Sequence, residues 1–129
     1  MKRESIKKDA ALYFLPLILG SSHPSRRMAR RIHRRYGIIS LILDEKPRLP
    51  DLLSLSFRFL PCLSKDEPRL MCEKLIALAE QEPSALPILI PASTEYEQAV
   101  RVNQALLEKH FVISSPEKLF VNSPLADIH

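Results

Sequence analysis

Phe14-Leu15-Pro16-Leu17-Ile18-Leu19-Gly20-Ser21-Ser22-His23-Pro24-Ser25 leads into Arg26-Arg27-Met28-Ala29-Arg30-Arg31-Ile32-His33-Arg34-Arg35-Tyr36. The apolar run lacks alternation, which marks a strand buried on both faces, as in a parallel sheet, over about Leu15–Leu19. Pro16 donates no backbone hydrogen bond and fits best as the strand's first residue. Gly20 and the small polar residues after it make a tight loop. Pro24 or Ser25 then starts a helix, and Gly37 stands at its C-terminal end, where left-handed geometry is favoured. At about 100° per residue, Met28, Ala29, Ile32 and Tyr36 share one stripe. Arg26, Arg27, Arg30, Arg31, Arg34 and Arg35 fall on the opposite half. The stripe is expected to pack on the sheet, with the arginines facing outward.

The same strand–helix logic continues along the chain. Ile38–Leu43 is a second buried strand ending at Asp44, and Glu45–Asp51, with Pro47 and Pro50, is a loop. Leu55–Leu60 alternates and is expected at a sheet edge. Asp66 to about Gln81 is a helix capped by Asp66 or Ser64, with Leu70, Met71, Leu75, Ile76 and Leu78 inward. Leu86–Ile90 is a strand stopped by Pro91. Thr94-x-x-Glu97 has the form of a capping box. Its helix runs to about Lys109, with Tyr96, Ala99, Val100, Leu106 and Leu107 inward. Phe111–Ile113 is a fifth strand, and Ser115-Pro116-Glu117 opens a last helical turn or two.

One helix is missing between the second and third strands. Right-handed crossovers then give an α/β, three-layer, Rossmann-like domain with a five-stranded, mostly parallel sheet of order 3-2-1-4-5. Residues 1–13 form an N-terminal arm, 14–121 the domain, and 122–129 a tail or the start of a linker.

With 129 residues the chain is one domain by size. Two glycines are too few for a glycine-rich phosphate loop. The formal charge of +4 hides an asymmetry: residues 1–48 carry 12 Lys/Arg against 4 Asp/Glu, and residues 49–129 carry 7 against 11. A basic half suits nucleic acid, anionic ligands or an acidic neighbouring domain. Cys62 and Cys72 match no zinc or CxxC spacing and are expected as free, partly buried thiols of a reducing cytoplasm. Glu4, Asp9 and Pro16 interrupt what would be a secretory leader. No apolar run approaches the roughly 18–20 residues of a membrane span. A cytoplasmic location without a membrane partner is expected.

Ligands of such sheets sit beyond the carboxyl ends of the strands, here at Gly20–His23 and Pro91–Thr94. Gly20, Ser21, Ser22 and His23 are the best candidates for ligand contact, since helix N-terminal amides and two hydroxyls suit an anion. A plain structural turn explains them equally well. The loop is neither G-x-G-x-x-G nor G-x-x-x-x-G-K-[ST]. Asp44 stands where a dinucleotide-binding domain puts its ribose acid, but without the glycine fingerprint it reads as an ordinary strand-end carboxylate. The arginine helix suits nucleic-acid phosphates, although no interleaved aromatics offer base stacking, and a solvated or domain-docking face is the favoured reading. His23 is a solvated loop histidine or a general acid–base group. No Ser/His/Asp arrangement, catalytic constellation or metal spacing is present.

Phe14–Gly20 with Tyr36-Gly37-Ile38-Ile39-Ser40 resembles the opening of ATP-grasp carboxylate–amine ligases of the D-aspartate-ligase-like type. Leu86–Tyr96 with Leu106-Leu107-Glu108-Lys109-His110-Phe111 resembles that family's fourth strand, helix and fifth strand. The resemblance covers about residues 14–121 and implies a pre-ATP-grasp domain bordering the active-site cleft. It implies acyl-phosphate chemistry with ATP and Mg²⁺ in the full enzyme, on residues of later domains supplied in cis or in trans. Only Gly20, Ser21, Ser22 and His23 carry over, as cleft-lining residues. Asn122-Ser123-Pro124 departs from the family's lysine-containing continuation. No cofactor and no activity are then expected of these residues alone. A homodimer is compatible, and a stand-alone nucleic-acid or nucleotide-binding module is the alternative.

Overall fold

A computed structural model describes residues 13–61 and 66–115. Its strands are β1 (Phe14–Leu19), β2 (Ser40–Leu43), β3 (Phe57–Leu60), β4 (Leu86–Pro91) and β5 (Val112–Ile113). They form one sheet of order β3-β2-β1-β4-β5, and every pairing is parallel. The helices are α1 (His23–Tyr36), α2 (Leu49–Leu52), α3 (Pro68–Glu80), α4 (Thr94–Val102) and α5 (Gln104–Leu107). The expected α/β architecture and strand order are therefore present. The expected N-terminal arm and tail, the last helical turn, Cys62 and Ser64 lie outside the described residues.

The central strands show why their sequence is apolar without alternation. Ile18, Ile42, Ile88 and Ile90 join Met28, Ala29 and Ile32 of α1 in one core. Leu17, Leu19, Leu41, Leu43 and Leu89 point the other way and pack with Met71, Cys72, Leu75, Tyr96, Ala99, Val100 and Leu107. Successive side chains of a strand leave opposite faces, and here each face meets a helical layer.

Three prolines lie inside or at the end of central strands, which corrects the placement of Pro16 at a strand start and of Pro91 as a stop. Pro16 is the third residue of β1, where it is paired with β4 but precedes the ladder with β2, which starts at Leu17–Leu41. Pro87 and Pro91 of β4 lie on either side of the two residues paired with β5. Each proline occupies a stretch with one neighbouring strand, where a missing N–H leaves no ladder bond short.

α1 begins at Ser22, whose hydroxyl accepts from the Ser25 amide at 3.2 Å. It ends at Gly37, with φ +70° and its N–H donated to the His33 carbonyl at 2.8 Å. Ser93, rather than Thr94, caps α4 by accepting from the Tyr96 amide. The helix expected to reach Lys109 breaks at Asn103 into α4 and α5. Leu70 and Leu106, expected inward, are partly exposed. Cys72 is a free, buried thiol, pushed up from its ordinary pKa first by burial and then by the Glu73 charge.

The proline-rich segment after β2 differs most from expectation. It contains a helical turn, α2, with Pro50 at its second position and Asp51 at its third. Asp51 accepts from the backbone N–H of Arg48 at 2.7 Å, which closes the turn. The crossover between β2 and β3 thus has a helix, of four residues.

Candidate functional site

The carboxyl edge of the sheet is organised by two carboxylates. Asp44 follows the last residue of β2. One of its oxygens accepts from the Ser21 amide at 2.7 Å. The other accepts from the Glu45 amide at 2.7 Å and the Tyr96 hydroxyl at 2.9 Å. One side chain therefore joins the loops that follow β1 and β2 to the first turn of α4, the helix after β4. Asp51 lies beside it and is buried. Its Oδ2 accepts from the Ser21 hydroxyl at 2.6 Å, and its Oδ1 meets Arg26 Nη1 at 3.3 Å. Arg26 Nη1 also donates to Ser21 Oγ at 3.2 Å.

Arg26 is consequently not a solvated residue of the outer face, as helical phasing predicts. It is 8% exposed. It sits at the flank of the apolar stripe, where α2 supplies an acid that the helix's own sequence cannot reveal. An ion pair this buried is maintained only when its remaining donors and acceptors are met. The Ser21 hydroxyl and Arg48 amide meet those of Asp51.

Gly20 makes the turn into this network. Its φ is +111°, which side chains rarely adopt, and an added Cβ would lie 3.4 Å from Tyr96 Cδ2. Its amide donates to the Leu43 carbonyl at 2.8 Å, and Ala92 donates to the Leu19 carbonyl at 2.8 Å. The loops after β1, β2 and β4 are thus stitched together by backbone as well as side chains.

The four predicted residues have different positions in this arrangement. Gly20 and Ser21 are buried, Ser22 is half-buried and caps α1, and His23 is exposed. The Ser21 amide and hydroxyl, the groups that would cradle an anion, are already donated to carboxylates. The loop therefore does not fit a phosphate: two acids lie beneath it, and only Asp51 is matched by Arg26 here. Among the described residues, no three His, Cys, Asp or Glu side chains are placed to share a metal ion.

Sequence reasoning missed Asp51, the pairing role of Arg26 and the hydroxyl role of Tyr96. The available signal for Asp51 was Pro50-Asp51, which suits the second and third positions of a helix. A separate cavity of about 490 Å³ opens at the opposite, amino edge of the sheet, between Tyr13, Ile39, Arg58, Leu78 and Glu82. There Tyr13 donates to Glu82 at 3.1 Å, and this bond, then the glutamate's charge, raises the phenol pKa.

Comparisons with protein-family models, with curated proteins and with solved structures find no match to this chain.

Proposed function

We propose that these residues form the first, Rossmann-like domain of an ATP-dependent carboxylate–amine or carboxylate–thiol ligase. Its carboxyl edge would provide one wall of the substrate cleft. The observation that supports this reading is the Asp44–Asp51 network at the end of β1, β2 and β4. It ties Ser21 of the Gly20–His23 loop to both carboxylates, an anchor that suits a positioning wall.

In the complete enzyme the resemblance implies that ATP phosphorylates a carboxylate, after which an amine or thiol displaces phosphate. MgATP would bind on other domains, because the Ser21 donors are already committed. The role of this domain is to orient substrate past His23 and Ser22, the more accessible residues of the loop.

Two measurements test this reading. The coding region should join or neighbour an ATP-grasp domain, and a coding region lacking one contradicts it. MgATP at millimolar concentration should leave the melting temperature of this domain unchanged. A saturable rise would show, through ligand linkage, that the nucleotide binds here and would favour a nucleotide-binding module.

A further inference from the structure

The crossover between β2 and β3 turns its apolar residues outward. Leu49, Leu52, Leu53 and Leu55 are 68%, 64%, 71% and 90% exposed. Four such leucines within seven residues are more than the scattered apolar surface of a typical domain. Cations lie on the same segment and on the neighbouring α1. Lys46 and Arg48 are exposed on the same segment. Arg30 and Arg34 continue, at intervals of four, the row of α1 that begins with Arg26 at the α2 contact, and exposed Arg27 lies on the adjacent row. α1 contains no acidic residue. Asp51 is the sole acid between Lys46 and Leu60, and it is buried against Arg26. Exposed Glu45, next to Lys46, is an acid at the edge of this surface, and Asp51 is turned inside, so leucine and cation predominate.

We propose that this α1–α2 flank docks on an anionic phospholipid bilayer. The leucines would enter the headgroup–acyl boundary while the arginines and Lys46 meet lipid phosphates and carboxylates. This is surface attachment and involves no spanning helix. Charge and hydrocarbon together select this occupant. Nucleic-acid phosphates would satisfy the arginines but leave the leucines in water. A second copy docked through the same patch would bring arginines against arginines. The inference does not depend on the ligase reading.

The test is co-sedimentation of the full chain with vesicles. One set is phosphatidylcholine alone, and the other is equal parts phosphatidylcholine and phosphatidylserine. Binding to the mixed vesicles should exceed that to neutral ones by at least about tenfold and should fall as salt is raised. Residues 1–12 add Lys2, Arg3, Lys7 and Lys8, so charge alone is not diagnostic. The decisive variant is Leu52→Gln/Leu55→Gln, which keeps every charge and alters only exposed side chains. It should lose about tenfold in partitioning with an unchanged circular dichroism spectrum and melting temperature. Equal binding to the two vesicle sets, or undiminished binding by the leucine variant, overturns the proposal. So does binding to duplex RNA without binding to vesicles, which would assign the patch to nucleic acid.

Discussion

Two crossovers of this sheet bury opposite kinds of side chain. Between β4 and β5, α4 and α5 place Tyr96, Ala99, Val100 and Leu107 inside and leave Glu95, Glu97 and Arg101 in solvent. Between β2 and β3, α2 places Asp51 inside and leaves Leu49 and Leu52 in solvent. The difference follows from what each helix meets. α4 lies on the leucine row of the sheet, where burial of apolar area supplies the stabilisation. α2 reaches the carboxyl edge beside the first turn of α1, where Ser21, Arg26 and its own Arg48 amide offer donors. A buried carboxylate with these partners holds a helical turn that is too short to be held by its own propensity.

Substitutions should separate the two modes. The largest effect is expected for Asp51→Ala, which leaves the Arg26 guanidinium buried without its acid. Urea unfolding should show a loss of about 3–5 kcal/mol. A loss below about 1 kcal/mol would mean that α2 is held by something else. Leu107→Ala, in the apolar crossover, should cost about 2–5 kcal/mol through lost burial and a residual cavity. Tyr96→Phe keeps the ring against Gly20 and removes the hydroxyl that Asp44 accepts, so about 1.5–3 kcal/mol is expected. A neutral Tyr96→Phe would show that Asp44 does not depend on the β4 side of the network. The smallest effect is expected for Leu52→Ala, within about 0.5 kcal/mol, since this leucine is mostly in solvent. A loss near that of Leu107→Ala would remove the contrast between the crossovers.

Much of the fold is legible in the sequence because its signals are local. Ile18 and Leu19 lie in an unbroken apolar run, Gly37 ends α1 with positive φ, and Met28, Ala29 and Ile32 mark its inner stripe. The candidate loop could be located for the same reason, since Gly20 follows the first strand. Its chemistry could not be read. Ser21 looks like a free donor until Asp44, 23 residues later, and Asp51, 30 residues later, are brought to it. Arg26 looks solvated because helical phasing considers only the sheet as a neighbour, whereas α2 covers its flank. The exposure of Leu49 and Leu52 was equally hidden. Apolar residues beside Pro50 read as loop, and nothing local says that the acid between them, rather than the leucines, is the buried group.

A double-mutant cycle on Arg26→Ala and Asp51→Ala by urea unfolding tests most directly whether the polar anchor holds the β2–β3 crossover. The buried geometry predicts that the double variant loses far less than the sum of the single losses, with a coupling of about 2–3 kcal/mol. Additive losses, within about 0.5 kcal/mol, would contradict it.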